Sequence, residues 1–340
     1  MNEHHVQQDD IPQQKDDRRN LLMNELQSAT EQCQQLLDQQ AAAVQAEAEA
    51  LARENANPAS DFCYQVDQEY VMSRSFPWEK KRMPWVYTGE EGIRITEYCG
   101  SRNERVIVPS TINGLPVLCI DENAFRNSAV QEVVLPDSVR YIRHDAFRNC
   151  KQLRHIQLPA SLTVLEYSCF RDSGLVELVF PRLHLCHTIP PNCCRGCRQL
   201  QHVDLGEHDL SCSFLIDKDA FRECSSLKEF LLPQRIYAIR SGAFQETGIR
   251  TMIVPAQVEI VHPDAFYSSS FFTSTPEEPM VECVFLGAKT EISDQWKDNF
   301  TSFTNVSCIY GLPGSKVEEI AIKKDLPFRP LSEFDPKKMA

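Results

Sequence analysis

The dipeptide Ala-Phe recurs at 124–125, 146–147, 220–221, 243–244 and 265–266, and Cys169-Phe170 stands as a variant between the second and third copies. From one Phe to the next the steps are 22 (125 to 147), 23 (147 to 170), 23 (221 to 244) and 22 (244 to 266). The step from Phe170 to Phe221 is 51, which holds two units, one of them disguised. A fixed period of this length is the signature of stacked repeats, and it narrows the choice of fold more than local propensity can.

The rest of each unit keeps the same period. An aliphatic residue stands five before each Phe: Ile120, Ile142, Leu165, Ile216, Ile239 and Val261. A small residue follows three after most of them: Ser128, Cys150, Ser173, Cys224 and Thr247. Where that residue is followed by Ala or Gly, as in Ser128-Ala129, Ser173-Gly174 and Thr247-Gly248, the link to the next run is one residue shorter. Then come VQEVVLP at 130–136, LRHIQLP at 153–159, LVELVFP at 175–181, LKEFLLP at 227–233 and IRTMIVP at 249–255. Each run alternates apolar residues at period two and closes at proline, which has no N–H for a ladder; this predicts short strands. One unit cannot bury its own Leu, Ile and Phe, whereas stacked units can, as a solenoid whose strands form a parallel sheet about 4.8 Å apart.

The run LPDSVRYIRHDAFRNC at 135–150 resembles the BspA-type leucine-rich repeat. Residues 92–125 resemble that family's opening unit, and CIYGLPGSKVEEIAIKKDLPF at 308–328 its closing segment. The resemblance implies an α/β repeat fold over 85–330: a curved solenoid of about seven units, capped at both ends, with the parallel sheet on its concave face. It further implies binding of a protein or other macromolecule rather than catalysis.

Upstream of the solenoid the expected organisation is a disordered tail over 1–15, an α-helical extension over 16–58 and a connecting segment over 59–84; a second tail follows at 331–340. Residues 16–57 have no internal Gly or Pro and are rich in Ala, Gln, Glu and Leu, and Asn57-Pro58 ends them. Leu22, Leu26, Ala29, Cys33 and Leu36 keep a 4-3-4-3 rhythm that Gln40 and Glu47 interrupt. Two readings stand: a weak coiled-coil seam that drives self-association, or a solvated or solenoid-docked helix.

Charge excludes some partners. The net charge is −13, of which residues 1–60 supply −7 (4 Lys/Arg against 11 Asp/Glu), leaving −6 for the rest. Nucleic acid is therefore not an expected partner, since it selects clustered Lys and Arg. No run reaches the ~18 apolar residues of a spanning helix, and the polar N-terminus lacks the apolar core of a signal peptide. The expected location is cytoplasmic, with the 14 cysteines reduced; surface display by an unconventional route is the alternative.

Residues 186–197, CHTIPPNCCRGC, carry ligand types at zinc-like spacing. The repeat offers another reading. With Ile189 aligned to the aliphatic residue five before Phe, Cys193 takes the Ala position, Cys194 the Phe position and Cys197 the small-residue position. The strand that follows is LQHVDLG at 200–206. Only Cys186 and His187 then lack a place in the unit. The expectation is no metal and no cofactor; a metal- or thiol-redox-responsive module using the Cys186–Cys197 cluster is the alternative function.

In leucine-rich repeats the positions flanking the second apolar residue of each strand face the concave side. The position before it reads Glu132, His155, Glu177, His202, Glu229, Thr251 and Cys283. The position after it reads Val134, Gln157, Val179, Asp204, Leu231, Ile253 and Phe285. The first column alternates acid and imidazole; the second presents apolar residues where solvent selects polar ones. This strip reads either as cross-strand pairing with strand propensity or as a recognition surface. Catalytic signatures are missing: there is no G-x-S-x-G, H-E-x-x-H or G-x-G-x-x-G, and GLPGSK at 311–316 lacks phosphate-loop spacing.

Overall fold

The computed structural model describes residues 56–72, 85–180, 188–206, 214–234, 236–262, 264–266, 281–292 and 306–335. They belong to the unit Ala56–Ala340. The tail 1–15, nearly all of the expected helix 16–58 with its coiled-coil alternative, and Cys186 and His187 lie outside them.

The described body is a β-solenoid of about seven turns. Most turns contribute two short strands rather than one. Residues 227–233, expected as a strand, form none and run as irregular chain, since no strand lies between Phe214–Ile216 and Ile236–Ile239. The first ladder follows the expected runs but is divided into three hydrogen-bonded sheets: Arg105–Ile107, Glu132–Val134 and His155–Gln157; Glu177–Val179 and His202–Asp204; and Thr251–Val254 with Val281–Phe285 and the C-terminal strands. The second ladder is built on the aliphatic column five before each Phe. There Ile120 pairs in parallel with Ile142, Ile142 with Leu165, Ile189 with Ile216, Ile216 with Ile239, and Ile239 with Val261. Several of these strands are two residues long, such as Tyr141–Ile142 and Val164–Leu165, so period-two alternation has no length over which to show.

Between the ladders the chain turns at the Ala-Phe dipeptide. The residue before it holds a left-handed backbone at Asn123, Asp145, Ser168, Asn192, Asp219 and Gly242, with φ from 55° to 65°. A second left-handed column, two residues after the Phe position, comprises Asn127, Asn149, Asp172, Gly196, Glu223 and Glu246. Asn, Asp and Gly dominate both columns because they tolerate this region at low cost. The turns then stack by hydrogen bonds. Phe125 donates its amide to the carbonyl of Ala146 and Phe147 to that of Cys169, each at 2.8 Å; Phe221 donates to Ala243 and Phe244 to Ala265 at the same distance.

The core lies between the ladders. Phe147, Phe170 and Phe221 are fully buried, and their rings stack in two runs. Tyr98, Phe125, Phe147 and Phe170 follow one another at centroid distances of 5.2, 4.9 and 5.7 Å. Phe221, Phe244 and Phe266 follow at 5.6 and 5.9 Å. The break between the runs falls at Cys194.

Both ends of the repeat stack are covered. Strand β1 (Phe62–Met72) pairs antiparallel with β2 (Trp85–Tyr98), and β2 in turn pairs in parallel with Leu115–Ile120 of the second ladder. β1 lies inside the expected connecting segment 59–84, which is thus in part sheet rather than linker. Residues before it also join the body: the buried Asn57 side chain accepts from the Ile107 amide at 2.9 Å and donates to Asp61 at 2.8 Å. At the other end stand the strand Val306–Gly311, the helix Lys316–Lys323 capped by Ser315, and the strand Phe328–Pro330. The expected tail 331–340 begins with a 3-10 turn at Leu331–Glu333. Among the described residues no helix is long and apolar enough to cross a membrane.

Candidate functional site

The two expected columns lie side by side on the first ladder, where strand register decides which residues meet. Glu132 pairs with His155 and Glu177 with His202, and His155 Nδ1 stands 3.9 Å from Glu177 Oε1. Arg105 extends the row, its Nε 3.0 Å from Glu132. The result is a line of alternating sign and imidazole from Arg105 to His202, with His155, Glu177 and His202 exposed. Glu229 is also exposed, in a segment that is not strand.

The second column divides into three parts. At its start Val134 is buried, paired between Ile107 and Gln157. In its middle Gln157, Val179, Asp204 and Leu231 are all exposed, Val179 by 43% and Leu231 by 85%. Leu231 is a large aliphatic side chain in water, while its neighbour Phe230 is buried against Phe221 and Phe244 at 5.1 and 4.8 Å. At its end the column is covered by the chain itself.

That last part corrects two expected residues, Cys283 and Phe285. Thr251 pairs with Glu282, Ile253 with Val284, and Val254 with Phe285. Phe285 is therefore on the core side and fully buried, as is Cys283; Glu282 and Val284 hold the two outward positions. A slip of one residue moves a strand's whole set to the other face. VECVFLG has neither the closing proline nor a neighbouring Ala-Phe dipeptide at the repeat spacing to mark its register. The outward column then runs Ile253, Val284, Tyr310, since Val284 pairs with Tyr310. Val284, Cys308 and Tyr310 form a small apolar cluster against which Ile253, Leu331 and Phe334 pack. Phe334 meets Tyr310 edge-on at 5.2 Å.

The cysteines of the disguised unit take the positions that the repeat predicts. Phe170 donates its amide to the carbonyl of Cys193 at 2.9 Å, and Cys194 to that of Ala220 at 2.8 Å, the bonds made at every other turn. Cys193, Cys194 and Cys197 are fully buried. Cys197 donates its thiol to the carbonyl of Phe170 at 3.0 Å and Cys224 to that of Cys194 at 3.1 Å, as Cys150 does to Phe125 at 2.9 Å. Burial pushes the thiols of Cys194, Cys197 and Cys224 well above the usual range. A thiol that resists ionisation is a poor metal ligand and a poor nucleophile.

Two further clusters lie outside these columns. His144 stands between two carboxylates across three successive turns, with Nε2 2.8 Å from Glu122 and Nδ1 3.1 Å from Glu166, and it stacks on Tyr167 at 4.9 Å. Their 22-residue spacing is visible in the sequence, but they sit beside the second ladder, which was not expected as sheet. The other cluster, Cys63, Glu97 and Cys99, lies on β1 and at the end of β2.

Residues 119–215 and 209–273 match the BspA type leucine-rich repeat region, in six copies. Among solved structures the chain is similar to a leucine-rich repeat protein of T. pallidum at 28% identity, covering 61% of this chain and 75% of that one, with a TM-score of 0.37. It is similar to a leucine-rich repeat protein of Bacteroides ovatus at 17% identity, covering 72% and 70%, with a TM-score of 0.32. A third, from Eubacterium ventriosum, shows 19% identity over 56% and 51%, with a TM-score of 0.37. Among curated protein sequences none matches.

Proposed function

Because this chain carries BspA-type leucine-rich repeats over residues 119–273, we propose that it is a non-catalytic interaction module. It binds a protein or other macromolecular partner along the outward face of the Glu177–Val179 and His202–Asp204 strands and the irregular segment that follows, around Glu177, Val179, His202, Asp204, Glu229 and Leu231. Stacked repeats present extended surfaces of this kind.

The observation that carries this reading is the exposure of Leu231 and Val179 beside a row of titratable side chains. Burying Leu231 under a partner would remove its apolar surface from water, worth about 1.5–3 kcal/mol for a side chain of this size. The charged row would set orientation and reject mismatched partners, the usual role of polar groups around an apolar contact. The covered end of the same column supports the assignment, since Leu331 and Phe334 there occupy apolar positions that would otherwise face water.

The test is a double substitution, Glu177→Lys with Leu231→Asp. Both side chains are exposed, so the fold should survive, as judged by circular dichroism and an unchanged unfolding midpoint. Partners retained by the unaltered protein should no longer be retained. Equal retention by a folded double variant removes the proposal.

A further inference from the structure

Of the eleven described cysteines nine are buried, and the two exposed ones, Cys63 and Cys99, touch each other. Their sulfurs lie 2.7 Å apart. We propose that Cys63 and Cys99 are a reversible disulfide site that staples the N-terminal capping strand to the solenoid.

Strand register brings them together. Phe62 pairs with Tyr98 and Cys63 with Glu97, so Cys99 lies diagonal to Cys63 on the same, solvent-facing side of the ribbon. The ladder continues past the end of β2, where the Cys99 amide donates to the carbonyl of Asp61 at 2.8 Å. Regular diagonal neighbours sit about 7–8 Å apart, wider than the ~4.4–6.8 Å Cα separation a disulfide spans. Here the register shifts beside Cys63: Tyr64 pairs with Ile95, which leaves Thr96 as an extra residue in β2. A bulge of this kind increases twist and re-aims neighbouring side chains. At this bulge the two sulfurs meet.

The same side chains also resemble part of a metal site, since the ligand atoms of Cys63, Glu97 and Cys99 lie within 4.8 Å of one another. The sulfur separation favours the disulfide. Two thiolates bound at ~2.3 Å to one tetrahedral zinc stay roughly 3.7 Å apart, and these thiols are already closer than that.

The oxidant is a low-molecular-weight disulfide such as glutathione disulfide. One thiolate of the pair attacks a sulfur of that molecule and displaces one glutathione thiolate. The second thiolate then attacks the mixed disulfide at the protein sulfur and displaces the other. One sulfur–sulfur bond is broken and one formed; the two protein thiols lose two protons and two electrons, and two glutathione thiols gain them. Excess thiol reverses both steps. The nine buried cysteines do not compete, because exchange needs an accessible sulfur. In a reducing compartment the pair remains a dithiol, and in an oxidising one it closes. β1 is the edge strand of its sheet and has β2 as its pairing partner, so a covalent link there fixes the cap at its outermost element.

The test uses the full chain, purified reduced and verified as folded by circular dichroism. It is equilibrated with glutathione disulfide, its remaining thiols are alkylated, and it is digested without reduction for peptide mapping. The expected result is one Cys63–Cys99 linked peptide that disappears on treatment with dithiothreitol. The Cys63→Ser variant should instead carry glutathione on Cys99. The proposal is overturned if both thiols of the folded protein are alkylated after saturating glutathione disulfide, or if each carries its own glutathione. It is equally overturned if either pairs with a different cysteine, or if the purified protein holds one equivalent of zinc that protects both.

Discussion

The amide of Cys194 donates to the carbonyl of Ala220 at 2.8 Å, the bond that Phe147 makes to Cys169 two repeats earlier. A cysteine thus sits at a phenylalanine position without disturbing the backbone stack. Only the ring column is interrupted, between Phe170 and Phe221.

This makes Cys194 a test of packing. It is fully buried, with its sulfur 3.9 Å from that of Cys193. Interiors of this kind have no spare volume for a ring. Cys194→Phe should therefore lower stability by about 1–3 kcal/mol, the usual cost of overpacking, although it restores the repeat consensus. Chemical denaturation with an unchanged m-value would register this. A gain in stability would mean that the core holds an unfilled space at this turn.

Gly174 tests the shorter link between the Phe position and the next run. A Cβ at this position would lie 2.2 Å from the carbonyl oxygen of Lys151, and one at Gly248 would lie 2.6 Å from that of Ser225. Both neighbours are backbone and cannot rotate aside. Gly174→Ala should cost roughly 1–3 kcal/mol, measured as a lower denaturation midpoint, despite the entropy that alanine removes from the unfolded chain. A neutral result would show that adjacent turns are free to separate.

The buried thiols predict how stability responds to alkali. Burial pushes Cys119 and Cys283 up to about 12 and Cys150 up to about 11, from an ordinary value of 9.0. A folded-state value raised above the unfolded one gives stability that is fully present below the unfolded value. It is then lost as pH rises through the folded value. The unfolding midpoint should fall between pH 9 and about 12, and thiolate absorbance at these sites should appear only with unfolding. Ionisation of Cys119, Cys150 or Cys283 in the folded chain near pH 9, read by site-resolved alkylation, would contradict the assigned burial.

Much of this architecture was legible in the primary structure because repetition multiplies weak signals. The Ala-Phe column, its aliphatic partner and the strand runs each recur, so one divergent copy, Cys193-Cys194, could be placed by its neighbours. What was not legible has physical reasons. The second ladder is made of strands such as Tyr141–Ile142, too short to alternate. Phe285 was misassigned by one residue where the proline punctuation stops, and a period of two turns that small error into the opposite face. Cys63 and Cys99 lie 36 residues apart in segments outside the repeat, so their contact follows from the β1–β2 register and from nothing periodic. Leu331 and Phe334, read as tail, gain their place only through Tyr310.

The central claim, that the face around Leu231 receives a partner, is tested most directly by site-specific photo-cross-linking. A benzophenone side chain is placed at position 231 and, as a control, at Ile322, an exposed aliphatic residue of the C-terminal helix. Irradiation in an extract of the source cell should give a discrete adduct from position 231 and none from position 322. Adducts of equal yield from both positions, or from position 322 alone, would contradict the account.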